Sequence, residues 1–585
     1  MTRQRRSTAT RRSSTSSRRR TSTTPRSRKP ADKPLPQPGP GERVWVLDIP
    51  YDPEGLVRIP GVRWHPNAKA HLYVGERLSD QMSTYRPGPY TLGRFIENQL
   101  NPDCPAPPPT ANGQMRPRPN QVEAARAITL KAAAGGRMFL LADEPGVGKT
   151  ISAILGARAV GKLRDARRVL VVADRPAAIT IGHWCRTIAA VGDGGMEWVV
   201  TTWDRLAKVN AWDWDIVIAD EAHALRRTTT KRWQHWVKVS GFNRPPSKAP
   251  FVIHATATPG GSPLELPYLI PAYAQHHAQP ITEWYRAKKD ERLKAFAAAL
   301  TREGITIEKG RYGHTWTDDP ATRARDLHRV RGWLSDADPP GMIHRPAPWG
   351  PVPISGMPVT LTAPEAAAYD SEWGEFQREM GLARRGQNTA RGRAALLRFR
   401  QKAGLIRVDS TVDWIAQQVE AGRQVACSVE FVETAADPIT ERLQDAGLDV
   451  ARLYGQGRFD TEAERMRFQT GQASVCVFTV TASISLHAGE TLSGGVVAST
   501  DPRVGVFHQA RFSGIAGRQV TGRTHRDGQV SPWQIAWAEK TVEERVGRVM
   551  VERIAAASDT VGGDTSGLAD VAALLGADWL PPGSL

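Results

Sequence analysis

Between residues 115 and 271 the chain repeats one pattern: a short apolar run, a loop of polar or small residues, then a longer stretch with helical spacing. The runs are "RMFLLA", "RRVLVVA", "WDIVIA" and "FVIHATA". Short buried strands joined by crossover helices predict a parallel sheet in an α/β lobe. The pattern lapses over 272–404, where "ITEWYRAKKDERLKAFAAAL" and similar sequence is charge-rich and helical in period. It resumes over 405–556 with "RQVACSV", "DVARLYG", "SVCVFTV" and "SGGVVAS". The prediction is two α/β lobes joined by a helical insertion and linker. Ahead of them, "KPADKPLPQPGPGE" and "NPDCPAPPPTANGQMRPRP" bracket residues 43–98. Proline-rich borders around an alternating strand predict a small α+β domain there. Residues 557–585, with "LADVAALLG", read as a peripheral tail, and no internal repeat of short period is present.

Charge changes this picture at one end. The net charge is +18, and residues 1–29 hold ten Arg and one Lys with no acid. A segment so poor in apolar residues cannot offset its ordering entropy, so residues 1–42 are expected to form a disordered basic tail. The alternatives are a solvated segment and an arm that seeks polyanions by releasing their counterions; the second is favoured. Arg, Ser and Thr without acids also mark transit peptides, but the apolar face of one is missing. The four cysteines include no CxxC pair, so neither a disulfide framework nor a zinc site is signalled. No apolar run approaches the roughly 20 residues that span a bilayer. A reducing, cytoplasmic setting is expected, bacterial or phage-infected, or the nucleus in a eukaryote.

Candidate chemistry begins at "RMFLLADEPGVGKTISAIL", an apolar strand, a tight turn and a helix opening at Lys149. Gly146 and Gly148 would let backbone N–H groups face phosphates. Lys149 would reach the β and γ oxygens, and the Thr150 hydroxyl would hold Mg²⁺. Asp143 stands where the general phosphate-loop pattern has glycine, which leaves an incidental GKT as the competing reading. The stretch "WDIVIADEAHAL" weighs against it by placing Asp220 and Glu221 at the end of a buried strand, where open parallel sheets bind ligands. Asp220 would hold Mg²⁺ through water, and Glu221 would orient and deprotonate the attacking water.

This order of motifs resembles the superfamily-two helicases, most closely their Swi/Snf-type branch, over about residues 115 to 556. That branch tolerates an acid pair in place of the first loop glycine. The resemblance implies two RecA-like lobes that bind ATP and Mg²⁺. In "RPNQ" it implies that Gln121 bonds the adenine. It places Pro176 and Trp184 in family-like positions, lets Thr202 meet DNA phosphate, and makes "ATATP" at 255–259 the coupling motif. "QVTGRTHRDGQ" matches the family signature at Gln519, Arg523, Arg526, Gly528 and Gln529. Arg523 and Arg526, three apart on a helix, would share a face and stabilise charge on the transferred phosphoryl group. "MIHR" resembles the stretch between the lobes. The family's glycine-rich GxGLxL motif is replaced by "TASISLHAGE", with Ser483 and Ser485 in glycine positions, which puts coupling of ATP to DNA movement in question.

"IPGVRWHPNAKAHLY" resembles the HepA-related domain of annealing helicases, with Trp64, Lys69 and Tyr73 in its pattern. Those aromatics, beside Arg63, suit either base stacking at a fork or the core of a small domain. After the DEAH, Arg226, Arg227, Lys231 and Arg232 accompany Trp233 and Trp236; the aromatics read as packing rather than base-stacking residues, and the charges as either a duplex-tracking or a solvated basic surface. The expected function is a DNA-dependent ATPase that translocates on duplex or forked DNA and remodels or reanneals it. Its rivals are a strand-separating DNA or RNA helicase and a DNA-binding protein with a decayed ATPase.

Overall fold

The computed structural model describes residues 34–49, 59–105, 115–174, 177–210, 212–228, 230–242, 244, 248–257, 259–260, 262–276, 289–310, 313–317, 319–455, 458–479, 484–492, 496–510, 514–555, 574–577 and 579–580. The chain divides into two compact units, Met1–Arg86 and Pro87–Leu585. In the first, strands β1 (Arg43–Leu47), β2 (Arg63–His65) and β3 (Ala70–Gly75) form an antiparallel sheet in the order β1-β3-β2. Leu47, Ile59 and Met82 centre its core, and Tyr73 packs against them. Residues 87–98, which the sequence reading assigns to the same domain, belong to the larger unit. Phe95 there meets Trp212 and Trp214, and the Tyr90 hydroxyl donates to Asp193 at 2.9 Å.

The larger unit holds two RecA-like lobes. Its strands are β4 (Met138–Leu141), β5 (Arg168–Ala173), β6 (Glu197–Thr202), β7 (Ile216–Asp220) and β8 (Phe251–Ala255). After a hairpin of β9 (Ile307–Gly310) and β10 (Gly313–Trp316), the two-residue β11 (Met342–Ile343) returns to the edge of this sheet, whose order is β11-β4-β8-β7-β5-β6. The second lobe comprises β12 (Ile354–Val359), β13 (Gln424–Ser428), β14 (Val450–Leu453), β15 (Val475–Phe478), β16 (Arg503–Phe507) and β17 (Trp533–Ala538), in the order β12-β17-β16-β13-β15-β14. Every pairing in both sheets is parallel. Successive residues of β13, β15 and β16 feed separate cores on the two faces of the second sheet, as strands covered on both sides must.

The segment 272–404 is helical only in part, since it contributes β11 to one sheet and β12 to the other. Of the predicted strand "SGGVVAS", the described residues 496–499 join no sheet. Val496 and Val497 are exposed, and Val497 makes only an isolated antiparallel bridge to Thr491. Leu575, Ala577 and Leu580, from the expected tail, are buried against the helices Ala363–Arg385 and Thr389–Ile406. Residues 1–33 of the expected basic tail lie outside the described residues. No helix among the described residues is long and apolar enough to cross a membrane.

Candidate nucleotide site

The buried strand β4 delivers the chain into a loop, 142–148, that ends at the helix Lys149–Arg164. Gly146 and Gly148 turn this loop with φ of 87° and 99°, a region that L side chains rarely occupy. Gly148 caps the helix without a side-chain bond, so the first-turn N–H groups face the loop's concavity, the arrangement that suits phosphate. The Gln121 amide lies against Gly148 so closely that a Cβ there would overlap it. Gln121 is 2% exposed, and its Oε1 accepts from the Arg118 N–H at 2.9 Å. Lys149 Nζ donates to the Asp143 and Glu144 carbonyls at 2.8 and 3.2 Å. Burial lowers its pKa, against the pull of Glu221, Asp143 and Asp220. Thr150 follows on the helix.

At the carboxyl end of β7, Asp220 accepts on both oxygens: from Trp184 Nε1 at 2.9 Å and from the Glu221 N–H at 3.2 Å. Burial, and then the neighbouring Glu221, push its pKa up to about 7. Glu221 itself sits in the left-handed region, φ 48° and ψ 53°, a strained backbone for a non-glycine residue that is enriched at functional sites. Its Oε2 lies 3.1 Å from His223 Nδ1 and accepts from Gln519 Nε2 at 3.3 Å. Burial works to raise the Glu221 pKa, but His223, Lys149 and Arg523 together hold it below the usual value. His223 Nδ1 is also 3.3 Å from the Thr256 hydroxyl, which ties the DEAH stretch to "ATATP". Thr258 lies outside the described residues.

The second lobe enters through the helix Gly514–Thr521 and the turns after it. Arg523 and Arg526 do not share a helical face as expected, because both follow the helix end. Asp527 and Gly528, with φ of 56° and 83°, form the centre of a turn closed by paired bonds between Arg526 and Gln529. Two successive positive φ values make this a type I′ turn, and its first corner is Arg526. A Cβ on Gly146 would fall 3.1 Å from Arg526 Cγ, and one on Gly522 would fall 2.9 Å from Pro145. Arg523, 2% exposed, lays its guanidinium over Phe478 and is near enough to Glu221 to depress that carboxyl. Gly146, Gly148, Lys149, Asp220, Glu221, Gln519, Arg523 and Arg526 thus converge on one cleft from two sheets.

Other expectations separate. Thr202 is buried at the end of β6, and Trp233 and Trp236 are buried, so they pack rather than stack on bases. Arg226 bonds the His223 carbonyl, and Arg232 lies over Trp203. Pro176 and Ser483 lie outside the described residues. Ser485 is not among the described residues with left-handed backbone, so serine is unstrained there; its hydroxyl meets His487 Nδ1 at 2.6 Å. In the smaller unit Trp64 is 51% exposed, edge-on to His71, whereas Tyr73 packs inward. Sequence reasoning missed His183, whose pKa burial and then Arg526 lower to about 4, and the pair Arg345 and Trp349 described below.

The residues present fit a nucleotide and its divalent cation. Asp220 is buried beside the half-buried Glu221; burial, and then the repulsion of Glu221, raise the Asp220 pKa, and a divalent cation relieves such a pair. Thr150 and Asp220 would hold it. No protein-family model and no curated protein matches the chain. Among solved structures, the chain is similar to the SWI2/SNF2 ATPase core of Sulfolobus solfataricus in complex with dsDNA, with 14% identity, 80% of this chain and 96% of that one covered, and a TM-score of 0.29. It is likewise similar to the SWI2/SNF2 ATPase core domain from the same organism, with 16% identity, coverage of 79% and 95%, and a TM-score of 0.30. For the Pyrococcus furiosus Hef helicase domain the values are 13% identity, 73% and 97% coverage, and a TM-score of 0.38. At such identities and scores these likenesses speak neither to activity nor to ligand.

Proposed function

We propose that the chain hydrolyses ATP with Mg²⁺ between its two lobes and uses the cycle to translocate on duplex or forked DNA, remodelling or reannealing it. The observation that carries the reading is the reach of the second lobe across the cleft: Gln519 bonds Glu221, and Arg526 lies against Gly146 of the phosphate loop. In this assignment the loop N–H groups and Lys149 bind the triphosphate. Mg²⁺, when bound by Thr150 and Asp220, supplies charge neutralisation at the phosphate oxygens. Glu221, held by His223 and Gln519, orients a water and takes its proton. A carboxylate whose pKa is kept low stays ionised for that task at neutral pH. Arg523 and Arg526 stabilise charge on the transferred group, a role worth about 10³ to 10⁵ in rate where it has been measured. In the same assignment Gln121, seated on Gly148, reads the base.

The DNA part of the proposal rests on the motif order and on the basic tail. Binding through phosphates would be salt-sensitive and indifferent to sequence. A decayed ATPase finds less support, because Ser485 lies outside the left-handed region and Gln519, Arg523 and Arg526 reach the cleft beside Lys149, Asp220 and Glu221. The test is steady-state ATP hydrolysis with no nucleic acid, single-stranded DNA, duplex, forked DNA and RNA, beside Lys149→Ala. Strong stimulation by duplex or fork, absent in the variant, is expected. Hydrolysis no higher than the variant in every condition would overturn the assignment, and equal stimulation by RNA would favour the strand-separating helicase.

A further inference from the structure

A strap between the lobes, residues 341–350, runs beside the phosphate loop in register. The Gly341, Ile343 and Arg345 carbonyls accept from the N–H groups of Leu140, Ala142 and Glu144 at 2.9, 2.8 and 3.1 Å. The β11–β4 ladder therefore continues beyond its two paired residues into the loop itself. Side chains follow the same register. Arg345 grips Asp143 with two prongs, Nε to Oδ1 at 3.1 Å and a terminal nitrogen to Oδ2 at 2.5 Å. The Ala347 N–H donates to Glu144 Oε2 at 2.8 Å, and a Cβ on Gly146 would fall 2.8 Å from the Trp349 ring. One residue on, the Gly350 carbonyl is 3.1 Å from His525 Nε2, beside the arginine turn of the second lobe.

Asp143 is wholly buried and occupies the position where phosphate loops ordinarily carry glycine. An unpaired carboxylate there would be costly to bury and would repel a triphosphate held by the same loop. Arg345, which also bonds the Asn120 carbonyl and Glu123, supplies the planar fork that matches a carboxylate.

We propose that this strap is part of the nucleotide site: Arg345 is the positioning residue that neutralises Asp143 and sets the phosphate loop, and Trp349 carries the loop's state to the arginine turn. The inference rests on the ATP reading above and adds to it how an acid is tolerated at the glycine position. It also gives the linker a part in the site, beyond joining the lobes.

The experiment is a double-mutant cycle read by equilibrium binding of a fluorescent ATP analogue with Mg²⁺ to the full chain. Arg345→Gln is expected to weaken binding about tenfold or more, and Asp143→Asn about threefold or less. Because both act through one ion pair, the double variant is expected to recover to within about threefold of the unaltered protein. A double variant no better than Arg345→Gln, or an Arg345→Gln protein that binds normally, would overturn the role of Arg345. Trp349→Ala provides a second arm that survives even if Arg345→Gln does not fold, since the indole is only half-buried. It is expected to lower kcat about tenfold at saturating ATP while leaving analogue binding within about threefold, because its task lies between the lobes. Unchanged kcat would remove Trp349 from the proposal. If the unaltered chain bound no analogue at all, the ATP reading would fall and this inference with it; binding that Arg345→Gln leaves untouched sinks the inference alone.

Discussion

The indole of Trp184 donates to the Asp220 oxygen Oδ2 from a helix that follows β5, so the proposed cation ligand is aimed by a residue thirty-six positions earlier in the chain. Such outer partners fix the orientation of a ligand and typically account for about 10- to 100-fold in metal affinity or activity. Trp184→Phe keeps the packing and deletes only the donor. It is therefore expected to raise the Mg²⁺ concentration giving half-maximal ATP hydrolysis about tenfold, while the melting temperature changes little. Titration of MgCl₂ at fixed ATP checks this, and an unchanged midpoint would show that Trp184 serves packing alone. The example marks the boundary of what the sequence makes legible at this scale. Lys149, Asp220, Glu221 and the arginines carry local signatures, because their chemistry demands a turn, a strand end or a fixed spacing. Arg345 and the bond made by Trp184 lack such signatures. Arg345 and Asp143 are 202 residues apart, and only the sheet order β11-β4-β8 makes them neighbours.

His508, just past β16, fastens the helix Thr389–Ile406 that ends the linker and the helix Val408–Glu420 that opens the second lobe to the second sheet. Its Nδ1 is 2.8 Å from the Thr411 hydroxyl, its Nε2 is 3.0 Å from the Gly404 carbonyl, and Arg407 donates to its own carbonyl at 2.7 Å. A neutral ring satisfies this arrangement, with Nε2 donating and Nδ1 accepting. Burial, then Arg407, lower its pKa to about 3 from an ordinary value near 6.5. The unfolded chain thus binds a proton at a pH where the folded one does not. The resulting stability is complete above pH 6.5 and is lost as pH falls toward 3, by about 1.4 kcal/mol per unit within that window. His254 on β8, lowered to about 3 by burial, adds a slope of the same sign. Denaturant midpoints measured between pH 7 and 4.5 should decline less steeply for His508→Gln than for the unaltered chain. Equal slopes would mean that other groups govern acid sensitivity. At this scale the short buried runs β4, β5, β7, β8, β13 and β15 are legible because each is bounded by turn residues and alternates with a stretch of helical period. By contrast, β12 contains Gly356 and Pro358, and β11 has two residues, so neither has a period to read. "SGGVVAS" has strand composition, but its valines face outward.

For the molecule as a whole, charge is distributed unlike structure. Eleven of the chain's net +18 charges fall within residues 1–29, ahead of the first described residue, while the lobes carry acids and bases in dense ion pairs such as Arg400–Glu430, Arg465–Glu490 and Arg407–Glu543. Pairs of this kind neutralise part of the lobes' cationic surface locally, and the chain outside residues 1–29 carries a net charge of only +7. Long-range attraction to a polyanion would then fall mainly to the segment that holds no acid. The cleft between the lobes, in contrast, is assembled among the described residues from positions 121 to 526. Binding of DNA and hydrolysis of ATP are therefore expected to separate on truncation. Removing residues 1–33 should weaken DNA affinity and flatten the dependence of log K on log salt, by about 0.9 for each phosphate the tail neutralises on duplex DNA. It should leave kcat at saturating DNA unchanged. Fluorescence anisotropy of a labelled duplex across a salt series, with ATP hydrolysis measured in parallel, gives both numbers from one preparation. An unaltered salt slope would mean that the tail does not meet DNA, and the phosphate contacts would have to be sought on the lobes, beginning with the exposed Arg227 and Lys231 beside the buried tryptophans.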